Sequence, residues 1–191
     1  MRLAVPALVM VLALSACADT AGPPAPPRAA LPVGADASMR LADALAQADL
    51  AAEAGDGAGL ARSLGAIAAL GARPLDPSSV AQLAEWQGRS PAPPPLRGRA
   101  LGPGYRQGVL APGDDLSLEQ TFLSGQKASI ALTAPSGSAL LLQVIDGSAK
   151  PVCTDRAATA SCRWIPIFTQ RHTIRLTNPG RRQARFYLVI E

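Results

Sequence analysis

The sequence contains few of the side chains that build metal or catalytic centres. It has three cysteines and one histidine, His172, in 191 residues. A structural zinc site needs about four ligands at short spacings, so no metal site is expected. A single histidine without a Gly-x-Ser-x-Gly turn also disfavours a Ser-His-Asp hydrolase. We therefore expect no catalytic residues and no cofactor, and a hydrolase that uses His172 is the least favoured alternative.

Aromatic residues are also scarce, at 4% of the chain. No stretch interleaves them with a basic stripe, so nucleic-acid binding is not expected. The charge is instead uneven between the two halves. Residues 18–90 hold five Arg against eight Asp and Glu, whereas residues 91–191 hold twelve Lys and Arg against six Asp and Glu. The basic half predicts either an anionic partner, such as a lipid head group, lipopolysaccharide or an acidic glycan, or only a solvated surface.

No apolar run in the chain is long enough to span a bilayer, which takes about 20 residues. The longest lies at the start, in MRLAVPALVMVLALSACADT, where Arg2 precedes the run Leu3–Leu14. A charged start, a short apolar core and small residues after it are typical of a secretory signal. We predict a signal peptide over residues 1–16.

The end of this signal, LSAC at Leu14–Cys17, resembles the lipobox of bacterial lipoproteins. The resemblance implies that Cys17 becomes the lipidated N-terminus, with palmitate among its acyl chains, and that the Pro- and Ala-rich stretch 17–35 is a tether. Since residue 18 is Ala and not Asp, it also implies the outer membrane, on the periplasmic face. The cell surface, the outer leaflet of the inner membrane, and an ordinary signal peptide with a chance cysteine are the alternatives.

The two remaining cysteines, Cys153 and Cys162, stand nine residues apart in VCTDRAATASCRW. A metal site, a redox pair and a disulfide are the candidates. A redox pair favours Cys-x-x-Cys at a helix start, and disulfides persist in the periplasm. With Cys17 used for the lipid, we predict a disulfide between Cys153 and Cys162, with Trp164 packed beside it.

Residues 36–88 have the apolar spacing of helices. Asp36 or Ser38 begins the first predicted helix, Asp56 the second and Asp76 the third. The pairing of the first two helices resembles one tetratricopeptide-like hairpin, which implies a partner-binding helical surface. A spacer, or a cap on the following domain, is the alternative.

A Pro-rich stretch, residues 89–104, predicts a stiff linker. From residue 105 to 191 apolar and polar residues alternate between Gly- and Pro-containing turns, which predicts an antiparallel β-sandwich of jelly-roll type. The more continuous run SALLLQVID favours a strand that is covered on both faces. We therefore expect a multidomain α+β protein, with a small helical unit followed by a β-sandwich.

The order of these strands resembles the bacterial pre-peptidase C-terminal domain and its jelly-roll relatives. The matching pieces, within Gly104–Glu191, are LEQTFLSGQKASIALTA, LLLQVIDGSAKPVC, CRWIPIFTQRHTIRLTNPG and ARFYLVIE. The resemblance implies an accessory or glycan-binding module of a secreted hydrolase system. The neutral SALLLQV stands where that family commonly has an acidic strand, so the resemblance does not extend to a calcium or polar ligand there.

Arginines supply the candidate binding residues of the basic half. Arg171 and Arg175 share one face of a predicted strand, and Arg185 lies beside them if the last two strands pair through NPGRR. Such a cluster either holds an anion or a partner, or only protects an edge strand from aggregation.

Together these features predict a non-enzymatic outer-membrane lipoprotein. Its membrane contact is the lipid anchor, and its periplasmic part binds a protein partner, a glycan or another envelope component. The alternative is the accessory or glycan-binding module that the pre-peptidase resemblance implies.

Overall fold

The computed structural model of the protein describes residues 36–90 and 102–191. The predicted signal peptide, Cys17, the tether and residues 91–101 of the predicted linker lie outside the described residues. All described residues belong to one compact unit, Leu31–Glu191. Among the helices that the structure describes, none is both long enough and apolar enough to cross a membrane.

Three helices form the first part of this unit: α1 (Ala37–Ala54), α2 (Gly57–Ala69) and α3 (Pro77–Arg89). Asp36, Asp56 and Asp76 each accept a hydrogen bond from the backbone N–H three residues later. Such a bond satisfies one of the free N–H groups of the first turn, which is why aspartate favours a helix start. The predicted helix starts are therefore confirmed.

The described strands form two sheets. Sheet A has the strand order β1-β2-β9-β4-β7, and sheet B has the order β3-β8-β5-β6. All neighbours pair antiparallel except β1 and β2, which are parallel. The predicted α+β class with an antiparallel β-sandwich is confirmed. In chain order the strands are β1 (Arg73–Pro74), β2 (Gly104–Leu110), β3 (Asp115–Phe122), β4 (Ala128–Thr133), β5 (Leu140–Ile145), β6 (Pro151–Ala157), β7 (Thr159–Trp164), β8 (Gln170–Thr177) and β9 (Ala184–Ile190).

The space between the two sheets is filled by alternate side chains of each strand, as expected for a sandwich. This core contains Ile130 and Leu188 from sheet A, and Leu142, Val144 and Ile174 from sheet B, all fully or almost fully buried.

A second core lies between the helices and the other face of sheet A. Leu41 and Leu45 of α1 and Trp86 of α3 pack there against Tyr187 and Val189 of β9. Sheet A is therefore covered on both faces, and the molecule has three layers: helices, sheet A and sheet B. The sequence left three roles open for the helical unit: a partner-binding surface, a spacer or a cap on the following domain. The packing of this unit against sheet A is that of a cap.

The expectation that SALLLQVID forms the doubly covered strand is wrong. In β5, Leu141, Gln143 and Ile145 remain half-exposed while their neighbours are buried. The helices cover sheet A and leave the outer face of sheet B to solvent, so the doubly covered strands lie in sheet A: every residue of β4 is buried, and β9 is buried on both faces over residues 186–189.

Candidate functional site

The predicted disulfide is present between Cys153 and Cys162, with their Cα atoms 5.8 Å apart. Cys153 lies in β6, the edge strand of sheet B, and Cys162 lies in β7, the edge strand of sheet A. The bridge therefore fastens the two sheets together along one side. Both cysteines lie inside their strands and not at the strand ends.

Trp164, two residues after Cys162 in β7, closes one end of the sandwich. Its ring lies edge-on to Phe122, with centroids 4.8 Å apart, and 5.3 Å from the ring of His172. His172 is 1% exposed, and its Nδ1 lies 3.3 Å from the carbonyl oxygen of Gln170. The one imidazole of the chain therefore lies in an aromatic cluster of the core and not in a cleft.

Beyond this aromatic cluster the sandwich ends in exposed apolar side chains. Ile167 is 80% exposed and Phe168 is 71% exposed, and Ile165 and Leu123 are also exposed. Three of these residues belong to the β7–β8 loop, and Leu123 belongs to the β3–β4 turn. We name these four residues, Leu123, Ile165, Ile167 and Phe168, the apolar tip.

The backbone of the apolar tip is fixed by hydrogen bonds between the turn and the loop. The Ser124 hydroxyl donates to the Ile167 carbonyl at 2.6 Å, and the Ser124 N–H donates to the Thr169 hydroxyl at 2.9 Å. The Gly125 N–H donates to the Pro166 carbonyl at 2.9 Å. Gly125 has φ +72°, a left-handed conformation that glycine adopts without strain. The tip side chains therefore project from a defined backbone.

Basic side chains flank the tip next to the start of α1. Lys127 Nζ and Arg163 Nε each lie 3.6 Å from Oδ2 of Asp36. Partial burial works against ionisation of Asp36, but hydrogen bonds from Met39 N–H, Ser38 and Ser129, together with the charge of Arg163, hold its pKa below the ordinary value. Two cations thus share the carboxylate of Asp36, and Glu191 lies close by, because its backbone exchanges hydrogen bonds with Ser129.

A cleft of about 320 Å³ opens beside the tip, between the start of β2, the end of β3 and the end of β9. Its lining is mixed, with cationic, anionic, amide and apolar residues near one another. It includes Arg73, Gln120, Thr121, Phe122, Gln126, Lys127 and Glu191. Its size is at the lower end of the range typical of small-molecule sites.

The three predicted binding arginines are not brought together. Arg171 and Arg175 lie on the exposed face of β8 in sheet B, where Arg171 Nη1 is 2.9 Å from Oε2 of Glu119. Arg185 lies on β9 in sheet A and contacts Asp49 Oδ2 at 2.7 Å and Glu53 Oε1 at 2.6 Å. The expectation that Arg185 lies beside the other two is therefore wrong.

The reason is that NPGRR crosses from one sheet to the other and does not form a hairpin. Buried Asn178 fixes this crossing: its Nδ2 donates to the carbonyls of Leu110 at 3.0 Å and Arg182 at 2.8 Å. Its Oδ1 accepts the Gly180 N–H at 3.0 Å. Each of the last two strands consequently pairs with strands distant in sequence.

Sequence reasoning missed the apolar tip, although a signal for it exists. Trp164 is followed by Ile165-Pro166-Ile167-Phe168, an apolar stretch that contains a proline and precedes the next predicted strand. A proline lacks the N–H that a central strand needs, so the stretch belongs in a loop, where large apolar residues are unusual unless covered. Cys17, the predicted lipid attachment residue, lies outside the described residues. In the ranges 36–90 and 102–191, no three His, Cys, Asp or Glu side chains are grouped as a metal ion would require.

Comparisons with known proteins give no family assignment. No family model matches the chain, and no curated protein matches it.

Among solved structures the chain is similar to three β-rich domains at a low level. The first is the pre-peptidase C-terminal domain of a collagenase from Bacillus anthracis (12% identity, 46% of this chain and 87% of that chain, TM-score 0.38). The second is PliG, a periplasmic inhibitor of g-type lysozyme from Aeromonas hydrophila (11% identity, 47% and 84%, TM-score 0.37). The third is the CBM36-1 domain of a xylanase from the hindgut metagenome of Trinervitermes trinervoides (20% identity, 44% and 75%, TM-score 0.31).

At these TM-scores the similarities carry no inference on family, ligand or activity.

Proposed function

We propose that the chain is a non-enzymatic outer-membrane lipoprotein whose periplasmic sandwich binds an envelope component or a protein partner. The observation that carries the proposal is the apolar tip, in which four large apolar side chains stand together in solvent on a hydrogen-bonded backbone. Exposed apolar residues scattered singly are ordinary, whereas a contiguous group marks an interaction site.

The remaining side chains support binding more than catalysis. His172 is buried among aromatic rings, so a substrate has no access to its imidazole. General acid–base catalysis needs a titratable group within hydrogen-bond reach of the substrate. The hydrolase alternative would therefore require His172 to leave its place in the core.

The anchor is tested by changing the predicted lipid attachment residue. Cys17→Ser should make the protein extractable from membranes by an alkaline carbonate wash, because acyl chains resist such a wash and a peripheral contact does not. The wild-type chain and the Cys153→Ala/Cys162→Ala double variant, which keeps Cys17, are the controls and should stay with the membrane. Unchanged resistance of the Cys17→Ser protein to extraction would refute the lipobox interpretation.

The binding site is tested separately from the anchor. The mature chain from residue 17 with Cys17→Ser is incubated with isolated outer-membrane fragments, and the bound fraction is measured by sedimentation. Ile167→Ser/Phe168→Ser should lower the bound fraction. Val109→Ser is the matched control, because Val109 is also an exposed apolar residue but lies at the far end of β2. Equal binding of both variants would refute the tip as the site.

A glycan-binding accessory module is the second candidate, and the cleft beside the tip favours it. Gln120, Gln126 and Thr121 line this cleft with hydrogen-bonding groups of the kind that bind sugar hydroxyls. A glycan array is the test: binding that Gln126→Ala abolishes and Ile167→Ser/Phe168→Ser leaves intact would favour this candidate over the main proposal.

A further inference from the structure

We propose that the apolar tip inserts into the surface of the lipid leaflet to which the chain is anchored, so that this end of the sandwich lies on the bilayer. The inference rests on the proposed anchor at Cys17 and names the envelope component that the tip binds: the bilayer itself.

The position where the chain enters the structure carries the first step. Residues 1–35 join the described chain at Asp36, whose carboxylate accepts a hydrogen bond from Ser129 at 3.0 Å and lies beside Lys127. Lys127 follows the turn that carries Leu123, so the chain enters at the end of the sandwich that bears the tip. Cys17 and Asp36 are 19 positions apart, and a chain of this length reaches at most roughly 65 Å when fully extended. A lipid on Cys17 would therefore hold the tip at a high local concentration near one leaflet.

The hydrogen bonding of the tip carries the second step. Apolar surroundings make an unpaired backbone group costly, so a loop that enters them needs its N–H and C=O groups satisfied. The carbonyls of Pro166 and Ile167 accept hydrogen bonds from Gly125 and Ser124, and Pro166 has no N–H to satisfy. Two carbonyls of the loop can thus approach lipid without losing a hydrogen-bond partner.

The charges around the tip carry the third step. Lys127 and Arg163 are more than half exposed and share the single carboxylate of Asp36. Their long side chains can reach head-group phosphates while the apolar tip lies deeper, as basic side chains do at a membrane surface. Two exposed basic side chains beside an apolar centre fit a lipid surface that carries phosphates.

Vesicle flotation tests the inference with lipid as the only partner. The mature chain with Cys17→Ser is mixed with vesicles of phosphatidylethanolamine and phosphatidylglycerol. The chain should float with the vesicles, and Ile167→Ser/Phe168→Ser should lower the floated fraction by about fivefold, since interfacial binding scales with buried apolar area. The Val109→Ser control should float like the parent chain. A Lys127→Gln/Arg163→Gln variant should bind more weakly than the parent to vesicles that contain phosphatidylglycerol, and equally to vesicles without this anionic lipid.

Each outcome decides between occupants of the tip. Absent flotation, or flotation equal for tip and control variants, overturns the inference. If the tip variant loses binding to outer-membrane fragments while no chain binds pure vesicles, the proposed function stands and the occupant is a protein or a glycan. If neither preparation binds the chain, both proposals fail. A tip-dependent dimer in sedimentation equilibrium without vesicle binding would assign the tip to a second copy. Because Ile167 and Phe168 are so exposed, unchanged circular dichroism of the variant is expected and checks that the fold is intact.

Discussion

The guanidinium of Arg185 on β9 lies 2.7 Å from both carboxylate oxygens of Asp49 on α1. Asp49 is only 4% exposed, so its charge depends on partners within the protein, and Arg185 supplies a cation. Glu53, one turn further along α1, also contacts Arg185 and is itself exposed. The hydrogen bonds that Arg185 donates to Asp49 and Glu53 outweigh partial burial and raise the pKa of Arg185 further above its ordinary value. The helical layer is thus tied to sheet A by a charged contact at the margin of an apolar interface.

Removal of this arginine is expected to destabilise the protein. Arg185→Met should lower the free energy of unfolding by about 2–3 kcal/mol, because Asp49 is left buried without its partner. The control is Arg171→Met, whose ion pair with Glu119 is exposed on both sides and should contribute roughly 0–1 kcal/mol. Urea unfolding with an unchanged slope is the measurement. Equal losses for the two variants would show that Asp49 does not depend on Arg185.

Low pH is expected to remove the contribution that ionised Asp76, which caps α3, makes to the free energy of unfolding. Partial burial opposes its ionisation, but hydrogen bonds from Ser78, Ser79 and Arg106 hold its pKa below the ordinary value of 3.8. The unfolded chain therefore takes up this proton first as the pH falls. The stabilisation is complete above pH 3.8 and is lost as the pH falls through the folded-state pKa.

The variant Asp76→Asn isolates this charge, because asparagine keeps an oxygen that can cap the helix. It should be less stable than the wild type at neutral pH, and the difference should shrink as the pH falls below 3.8. Urea midpoints measured at successive pH values give the comparison. A stability difference that stays constant with pH would contradict the prediction.

Local rules were enough to predict the helices and most strands. Each helix start has an aspartate with a backbone N–H to bind, and the strands follow two-residue alternation, so both signals lie within a short window of sequence. The pairing of strands has no such signal. The crossing at Asn178 depends on the carbonyl of Leu110, 68 positions away, and for that reason the arginine cluster was predicted wrongly.

The buried outer face of β4 shows the same limit. Ser129, Ala131 and Thr133 alternate with the residues of β4 that face the inter-sheet core, yet they are buried too. The hydroxyls of Ser38 and Ser129 lie 2.7 Å apart across the contact between α1 and β4. Small side chains on both sides allow the helix to approach closely, but their sequence does not say which sheet the helix covers. The apolar tip was not predicted for a related reason. The sequence of a loop does not show whether another part of the protein covers its side chains.

Tyrosine ionisation reports directly on the contact between the helices and sheet A. The chain has two tyrosines, Tyr105 and Tyr187, and both are buried in this layer. Burial, with a smaller effect from the charge of Asp76, raises the pKa of Tyr105 to about 12. Burial, aided by the charge of Asp49, also raises the pKa of Tyr187. The folded protein should therefore show no phenolate absorbance step near pH 10.0, the ordinary value.

Because the pKa values of both tyrosines are raised by folding, the free energy of unfolding should fall at high pH. Below pH 10.0 the phenols are neutral in both the folded and the unfolded chain, and the stabilisation is fully present. It is lost as the pH rises towards the folded-state pKa values, because the unfolded chain ionises first. The urea-unfolded protein should show both tyrosines titrating near pH 10.0, and Tyr105→Phe should leave only the step of Tyr187 in the folded protein. A phenolate step near pH 10.0 while circular dichroism still shows the folded state would mean that these rings are solvated.

Reduction of the disulfide is expected to weaken the sandwich without unfolding it. The bridge joins residues nine positions apart, and closing so short a loop contributes about 2–3 kcal/mol in the chain-entropy model. Most of the inter-sheet core lies away from the bridge, so the sheets should stay packed after reduction. The wild type treated with dithiothreitol and the untreated Cys153→Ala/Cys162→Ala variant should both show a lower urea midpoint, and dithiothreitol should not affect the variant. A wild-type midpoint that does not move on complete reduction, verified by thiol counting, would mean that β6 and β7 are held at this edge by packing alone.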